Sequence, residues 1–371
     1  MRSVGVEEEL LLVDADTGAP LAVSGAVLAA ADRLAWRQAG HSADKPHEFE
    51  KELQKEQLEF ATKPLTEMGE LEEEIIRIRS EAGRHARQAG AMVAAIATSP
   101  LPVMPSLNAG ERYRWLGEQF GLTAQEQLTC GTHVHVSVDS DEEGVAVLDR
   151  IRPWLAVLTA MSANSPYWQG DDSGYGSYRS RVWNRWPSAG PVEVFGSADH
   201  YHEQVRSMVA TGVLRDEGMV YFDARLSATY PTVEVRVADV CLHATTPVLL
   251  AALVRGLVET AARAWREGEP PARIGTSLLR LASWRAGRSG LDGPLLHPET
   301  MTETSASHAV EALYQHVRQA LVEHGDDERV RRGIALLQQR GNGARVQRRL
   351  FEEEGSLARV MTECARMTNE N

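Results

Sequence analysis

Cysteine is scarce in this sequence, with only Cys130, Cys241 and Cys364 among its 371 residues. An odd number of widely spaced thiols fits neither a disulfide framework nor the ligand spacing of a zinc finger. The first strand-like stretch begins within a few residues of Met1, so we expect no signal peptide. Together these features predict a protein of the reducing cytoplasm.

Basic residues are also fewer than acidic ones. The sequence has 39 Lys and Arg and 52 Asp and Glu, which gives a formal net charge of −13. A nucleic-acid partner requires a basic protein face, so this balance argues against one. It does not argue against a nucleotide, since Mg²⁺ bridges carboxylates and phosphates.

Long apolar runs without charge are missing. The longest apolar stretch, residues 247–265, contains Arg255, Glu259 and Arg263. A membrane span rarely tolerates such charges, whereas a core helix does. We therefore expect a core helix here and no membrane partner.

Several familiar site motifs are absent as well. The sequence has no Gly-x-x-x-x-Gly-Lys phosphate loop, and Gly174-Tyr-Gly176 lacks the strand–helix setting of a dinucleotide site. No Ser or Cys stands in a nucleophile-elbow context. Any catalytic site must therefore be assembled from other residue types.

The most informative stretch is residues 3–12, which reads as a β-strand rich in Val and Leu. Side chains alternate along a strand, so Glu7 and Glu9 share one face and Glu8 points to the other. Two desolvated carboxylates on one face would be costly without a cation. This strand predicts one wall of a metal–nucleotide site.

Further acidic residues recur on predicted strands. Residues 47–62 favour two strands or one strand with a break, and Glu52 and Glu59 flank residues 53–58 of this stretch. In residues 231–239, Glu234 and Arg236 share one strand face and three valines share the other. A Glu and an Arg together suit a site for a cation and a phosphate. The alternative is a solvated face of an antiparallel sheet.

His133 and His135 alternate on another predicted strand, so both point to one face. A His-x-His strand can bind zinc. It can equally bind a nucleotide phosphate or lie on a polar sheet face, and the spacing leaves these alternatives open.

Three arginines stand in or beside irregular segments rich in Gly, Ser and aromatic residues. Arg179 and Arg181 belong to residues 164–200, and Arg225 ends a predicted strand. The planar guanidinium fork suits a carboxylate or a phosphate. The alternative for each arginine is ordinary surface charge.

The rest of the pattern predicts a single α+β domain over residues 1–371. Apolar residues at steps of three or four predict a helix over 66–89, and the apolar residues 91–98 predict a strand. Residues 143–163 predict a helix that Pro153 kinks or restarts. From about residue 246 the chain is predicted to be mainly helical.

Several segments, in order along residues 4–260, jointly resemble the bacterial carboxylate–amine ligases, also called type 2 glutamate–cysteine ligases. They are Gly5-Val-Glu-Glu-Glu-Leu10, Glu52-Leu53, Leu58-Glu-Phe-Ala-Thr-Lys-Pro64, Cys130-Gly-Thr-His-Val-His-Val136, Ser162-Ala-Asn-Ser-Pro166, Ser177-Tyr-Arg-Ser180 and Pro231-Thr-Val-Glu-Val-Arg-Val-Ala-Asp239. One motif departs: the family's Trp-Asp-x-Arg-Pro stands here as Phe222-Asp-Ala-Arg-Leu226.

The resemblance implies a glutamine synthetase-like fold, in which a curved, mainly antiparallel sheet has helices packed on its convex side. It implies ATP and two or three Mg²⁺ ions as cofactors. Metal or nucleotide positions fall on Glu7, Glu9, Glu52, Glu59, His133 and Glu234. Arg236 falls on the position that touches the transferring phosphoryl group, and Arg225 and Glu234 join it as expected catalytic residues.

The implied activity is that of an ATP-dependent ligase that joins a carboxylate to an amine through an acyl phosphate, with glutamate and cysteine as the family's named pair. The partners would be these small molecules, and by base rate a second copy in a homodimer. His133, His135, Arg179 and Arg181 are expected to bind the nucleotide. Two alternatives stay open: a zinc hydrolase using both histidines with Glu234 or Asp239, and a catalytically silent nucleotide-binding protein.

Overall fold

A computed structural model describes residues 1–39 and 49–370, and within them the predicted α+β fold is confirmed. Seven of the strands form one sheet in the order β2-β3-β1-β5-β9-β8, with β4 paired to the far end of β1, and every pairing is antiparallel. The described strands are β1 (Val4–Asp14), β2 (Phe49–Lys51), β3 (Gln57–Ala61), β4 (Ala91–Ala94), β5 (Gly131–Ser137), β6 (Tyr167–Trp168), β7 (Asp171–Asp172), β8 (Ala224–Leu226), β9 (Thr232–Asp239), β10 (Leu295–Leu296) and β11 (Glu303–Thr304).

The helices account for most of the remaining chain. They are α1 (Ser24–Ala39), α2 (Met68–Gln88), α3 (Glu111–Phe120), α4 (Leu122–Gln125), α5 (Asp141–Ile151), α6 (Leu155–Ser162), α7 (Arg179–Trp183), α8 (Ala198–Ala210), α9 (Thr245–Arg266), α10 (Thr276–Ser289), α11 (Ala306–His324), α12 (Asp327–Arg340), α13 (Gly343–Glu354) and α14 (Leu357–Glu370). Short 3₁₀ helices cover Arg152–Trp154 and Glu217–Met219. The predicted break at Pro153 is therefore confirmed, because the 3₁₀ turn separates α5 from α6.

Strand β1 lies in the centre of the sheet, and its side chains point alternately to the two faces. Val4, Val6 and Leu10 point into the apolar core, where each is at most 1% exposed. Glu8 shares their face and forms a buried ion pair with Arg79 of α2, whose Nε and Nη2 donate to the carboxylate at 2.8 and 2.7 Å. The alternation predicted for Glu7, Glu8 and Glu9 is thus confirmed, since the partner of Glu8 lies on the helical side.

A β-bulge interrupts the pairing of β5 with β9. Thr132 pairs with Ala238, but Val134 pairs with Val235, so two residues of β9 oppose His133 alone. Cross-strand partners share a sheet face. Asp239, which pairs with Gly131, therefore lies on the same face as Glu234, although their odd spacing predicts opposite faces.

The apolar helix predicted over residues 247–265 is α9. It is the one helix in the described part of the chain that is long and apolar enough to cross a membrane, and 83% of its apolar window is buried in the protein. It packs against β5, α5 and α11 and forms part of the core.

Two sequence expectations about local structure are only partly right. The strand predicted over residues 91–98 ends at Ala94. Residues 164–200, predicted as irregular, contain the β6–β7 hairpin and helix α7. Residues 47 and 48 of the predicted strand pair lie outside the described residues.

Buried Asp239 of β9 connects residues 164–177 to the sheet through hydrogen bonds. Its carboxylate accepts hydrogen bonds from the backbone N–H of Asn164 at 2.8 Å and from the hydroxyls of Ser165 and Ser177 at 2.7 and 2.8 Å. Helix α7 is thereby held above the end of β5.

Candidate active site

A cavity of about 270 Å³ opens on the sheet face that carries Glu7 and Glu9. Four of the predicted metal-binding glutamates line it, namely Glu7, Glu9, Glu52 and Glu59. His133, Arg225 and Arg236 also line it. Residues more than 200 positions apart in the sequence therefore meet around one concave space.

The strand register explains this convergence. Glu9 of β1 lies opposite Glu59 of β3, and Glu7 lies opposite His133 of β5. Across the next two ladders, His135 lies opposite Glu234, which in turn lies opposite Arg225. Acidic and basic side chains thus form a continuous row across five adjacent strands.

Carboxylate crowding is strongest at Glu9 and Glu59. Burial, reinforced by the neighbouring carboxylate of Glu52, raises the pKa of Glu9 to about 7. Burial and the charges of Glu52 and Glu7 raise the pKa of Glu59 well above its usual value. The nearby arginines do not fully offset the effect of burial and of the neighbouring carboxylates on Glu9 and Glu59.

Glu7 has the opposite environment. Burial opposes its ionisation, but hydrogen bonds with His133 and His135 hold the pKa of Glu7 well below its usual value. The Glu7 carboxylate lies 3.1 Å from His133 Nδ1 and 3.1 Å from His135 Nε2. Burial and the adjacent Arg236 guanidinium lower the pKa of His133 to about 4. His133 is therefore neutral at physiological pH.

Glu234 is buried next to the cavity and accepts hydrogen bonds from two arginines that line it, Arg225 and Arg236. Its Oε2 accepts a hydrogen bond from Arg225 Nε at 2.7 Å, and its Oε1 accepts one from Arg236 Nη1. Although burial opposes ionisation, these two guanidinium groups lower the pKa of Glu234 to about 2. Glu234 is a permanent anion that orients Arg225 and Arg236.

Among residues 1–39 and 49–370, two overlapping groups of side chains have the geometry of a metal site. Ligand atoms of Glu7, His133 and Glu234 lie within 4.8 Å of one another, and so do those of Glu9, Glu59 and His133. The buried Nε2 of His133 has no hydrogen-bond partner. Carboxylate oxygens are the ligands that Mg²⁺ prefers, and a cation would offset the crowding at Glu9 and Glu59. These residues therefore fit a divalent cation.

The geometry gives less support to a zinc site built on both histidines. Neither candidate group includes His135, whose Nδ1 lies 3.0 Å from the hydroxyl of Thr232. Asp239, the other residue considered for that site, is already bonded to Asn164, Ser165 and Ser177.

The two predicted arginines of α7 lie outside the set of residues that line the cavity. Arg179 is only 2% exposed and lies against Gly131, and its charge counters that of Glu9. Its guanidinium and that of Arg236 contact the Trp183 ring, at 5.5 and 5.6 Å from the ring centroid. Arg181 lies near Asp223 and Tyr175 instead.

Several lining residues were not predicted from the sequence. Arg112, Tyr113 and Leu116 come from α3, and Gln127 follows α4. Trp183, Trp186 and Tyr221 add an aromatic wall. The aromatic content of residues 164–200 was the one signal for part of this wall, whereas nothing in the pattern of residues 104–129 pointed to a site.

Comparison with known proteins identifies the family. The sequence profile of glutamate–cysteine ligase family 2 matches residues 3–363. The chain belongs to this family. The resemblance drawn from the strand motifs is therefore confirmed.

Curated relatives align with the chain over nearly its whole length. It is 61% identical over 369 residues to a Streptomyces avermitilis protein provisionally named glutamate–cysteine ligase 2-1, covering 99% of both chains. It is 60% identical over 368 residues to a protein of Streptomyces coelicolor provisionally named glutamate–cysteine ligase 2, again covering 99% of both.

Solved structures with the same fold are more distant in sequence. The glutamate–cysteine ligase of Francisella tularensis, solved in complex with AMP, has a TM-score of 0.70 at 12% identity, over 100% of this chain and 88% of that one. A bifunctional glutathione synthetase from Pasteurella multocida has a TM-score of 0.69 at 15% identity, over 100% of this chain and 52% of that one. At these identities the likeness concerns the fold.

Proposed function

We propose that the protein is an ATP-dependent carboxylate–amine ligase that forms an amide bond through an acyl phosphate. The single observation that carries this proposal is the row of glutamates on β1 and β3, which shares one cavity with Arg236. The family and the names of its members support a ligase that joins a glutamate-like acid to a cysteine-like amine.

The chemistry requires activation of the acid, because a carboxylate cannot expel oxide. Transfer of the terminal phosphoryl group of ATP to the carboxylate gives an acyl phosphate, and attack by the amine then expels phosphate. Both steps move phosphoryl charge, so the protein contributes mainly positioning and electrostatic stabilisation.

Divalent cations would be held by Glu7, Glu9, Glu59, His133 and Glu234, and they would supply positive charge that offsets the charge of the phosphates. Glu52 lies beside Glu9 and Glu59 and adds negative charge to the same wall. The oxygen-rich ligand set supports Mg²⁺ as the ion.

Arg236 is proposed to stabilise charge on the transferring phosphoryl group. It is buried, lines the cavity, and has an Nε with no hydrogen-bond partner. Glu234 and Arg225 hold its position, because Glu234 bonds to both guanidinium groups. Loss of one such donor typically costs about 3–4 kcal/mol of transition-state stabilisation.

The direct test is release of ADP and phosphate from ATP and Mg²⁺ across a panel of amino acids and amines, with glutamate and cysteine included. Hydroxylamine in place of the amine should trap the acyl phosphate as a hydroxamate. Arg236→Ala and Glu9→Gln should abolish turnover, whereas Arg332→Gln, a change at an exposed arginine of α12, should leave it unchanged.

Two results would overturn the proposal. ATP-independent hydrolysis with stoichiometric zinc would favour a hydrolase, and thermal stabilisation by ATP without turnover on any acid and amine would favour a silent nucleotide-binding protein. Full activity of Arg236→Ala would remove that residue from the mechanism.

A further inference from the structure

Arg112, Arg225 and Arg236 line the cavity, and Arg112 differs from the other two in the carboxylate to which it is bonded. Arg225 and Arg236 are both bonded to Glu234, and their side chains are 16% and 7% exposed. Arg112 of α3 is bonded instead to Asp216, which immediately precedes the 3₁₀ turn Glu217–Met219. Arg112 and Asp216 are 40% and 43% exposed, so solvent reaches their ion pair.

We propose that Arg112 binds the non-reacting carboxylate of an amino-acid substrate, and that Asp216 occupies the place of this carboxylate when no substrate is bound. The inference deepens the proposed function, on which it rests, by naming the substrate class and the residue that selects it.

When a substrate carboxylate replaces Asp216 on Arg112, the charge of the ion pair and the type of its hydrogen bonds stay the same. The pKa of Arg112 is raised: burial opposes this, but the hydrogen bond and charge of Asp216 outweigh burial, so the guanidinium is always a cation. An exposed ion pair contributes little to stability. The substrate therefore displaces Asp216 at small cost, and Asp216 moves into water.

A second unused group lines the same cavity. Gln127 is only 4% exposed and lines the cavity, and its Nε2 donates to the hydroxyl of Thr129 at 2.7 Å. Its Oε1 is buried, and within the described part of the chain it has no hydrogen-bond partner. A buried carbonyl oxygen in this state is a ready acceptor for a substrate ammonium group.

Together the two groups recognise both ends of an α-amino acid. Arg112 donates hydrogen bonds to the α-carboxylate, and Gln127 Oε1 accepts one from the α-ammonium group, while Leu53 and Leu116 line the apolar surface of the same cavity. The side-chain carboxylate is then the group left free to be activated at the glutamate row. A simple monocarboxylic acid would bind poorly, since it offers no second charged group.

The chain offers a matched control. Arg215 donates to Glu111 at 2.8 Å, so this pair joins the same two segments as Arg112 and Asp216. Neither Arg215 nor Glu111 is among the residues that line the cavity. A purely structural role of the ion pairs predicts equal effects at both sites, whereas substrate binding predicts an effect at Arg112 alone.

The first test uses steady-state kinetics with ATP, Mg²⁺, glutamate and cysteine. We expect Arg112→Met to raise the KM for glutamate at least tenfold while the KM for ATP changes less than twofold. Arg112→Lys should restore part of the loss, and Arg215→Met should match the wild type. Asp216→Asn should lower the KM for glutamate, because it removes the competing carboxylate.

The second test needs no turnover and so separates this inference from the ligase proposal. Glutamate should raise the melting temperature of the wild-type protein more than its α-amide does, and Arg112→Met should abolish the difference. Gln127→Leu should weaken the response to glutamate without removing the preference for the acid.

The inference is overturned if Arg112→Met and Arg215→Met change the KM for glutamate equally, or if Asp216→Asn raises it. It is also overturned if the wild-type protein responds equally to glutamate and its α-amide. If no acid and amine support turnover, the ligase proposal fails, and the melting-temperature comparison still decides whether Arg112 binds an amino-acid carboxylate.

Discussion

Glu9 and Glu59 lie directly opposite each other on β1 and β3, so two carboxylates face one another across a central ladder of the sheet. Like charges in this position destabilise a sheet by about 0.2–1 kcal/mol per pair. The sheet therefore carries a local instability at the place where the proposed cations bind.

The first prediction concerns Glu59→Gln, which keeps the shape of the side chain and removes its charge. In EDTA the variant should unfold at the same or a higher temperature than the wild type, because the repulsion with Glu9 is gone. Addition of Mg²⁺ should stabilise the wild type more than the variant, because the variant keeps only the group Glu7, His133 and Glu234 intact. Glu50→Gln is the control, since Glu50 also pairs with Glu59 but is exposed. A lower melting temperature of Glu59→Gln in EDTA would contradict this account.

The second prediction separates the two faces of β1. Glu8→Gln should lower the free energy of unfolding by about 3–5 kcal/mol, because it leaves the buried Arg79 charge without its partner. The kcat/KM of the folded protein should stay close to the wild-type value. Glu7→Gln should lower stability less than Glu8→Gln does, because Glu7 pairs with imidazoles and not with a buried guanidinium, and it should cause a large loss of activity. Chemical denaturation paired with activity assays measures both quantities, and a strong activity loss in Glu8→Gln would contradict the assignment of faces.

The third prediction uses the close approach of Arg179 to β5. A Cβ added at Gly131 would lie 2.2 Å from Arg179 Nη2, so the guanidinium of this buried arginine would have to shift. Gly131→Ala should therefore destabilise the protein by about 1–3 kcal/mol. In an Arg179→Ala background the same change should cost much less. Denaturant melts of the two single variants and the double variant measure this coupling, and additive effects would rule it out.

The fourth prediction concerns the pH dependence of stability. Burial raises the pKa of Asp223 to about 7, despite the nearby charges of Arg181 and Arg280. Its pKa in the unfolded chain is about 3.9, so between pH 4 and 7 the folded state holds the proton more tightly. Stability from this group is therefore present at low pH and is lost as pH rises towards 7.

Asp223→Asn cannot ionise, so its advantage over the wild type should grow with pH. We expect the difference in the free energy of unfolding to increase by about 1–2 kcal/mol between pH 5 and pH 8, a figure reduced for partial exposure of the carboxylate. Denaturant titrations in EDTA at the two pH values measure it. A constant difference would show that Asp223 is already ionised at pH 5.

Strand periodicity predicted the acidic side of the site because it is a strictly local rule. Glu7 and Glu9 are two residues apart on one strand, as are His133 and His135, so the shared face of each pair followed from alternation alone. Which strands become neighbours was not available from periodicity. The family resemblance supplied that information for Glu59 and Glu234.

The prediction failed where the backbone departs from regular alternation. The bulge opposite His133 turns Asp239 to the face of Glu234, and nothing in the sequence of β9 marks the extra residue. Arg112 and Gln127 lie in or beside short helices whose position depends on tertiary packing, so their place in the cavity wall was not predicted. Arg181 had the right residue type in the right segment, yet it faces Asp223.

The central position of β1 also affects how the protein is made. The contact between Glu7 of β1 and His133 of β5 spans 126 positions of sequence, and β9 begins only at Thr232. During synthesis, the acidic and apolar strand β1 stays without its neighbour β5 until the 126 positions that separate Glu7 from His133 have been made. Pairing over such separations is slow, and an unpaired strand edge invites association with other chains. Production of this protein should therefore depend on chaperones more than its ordinary composition would lead one to expect.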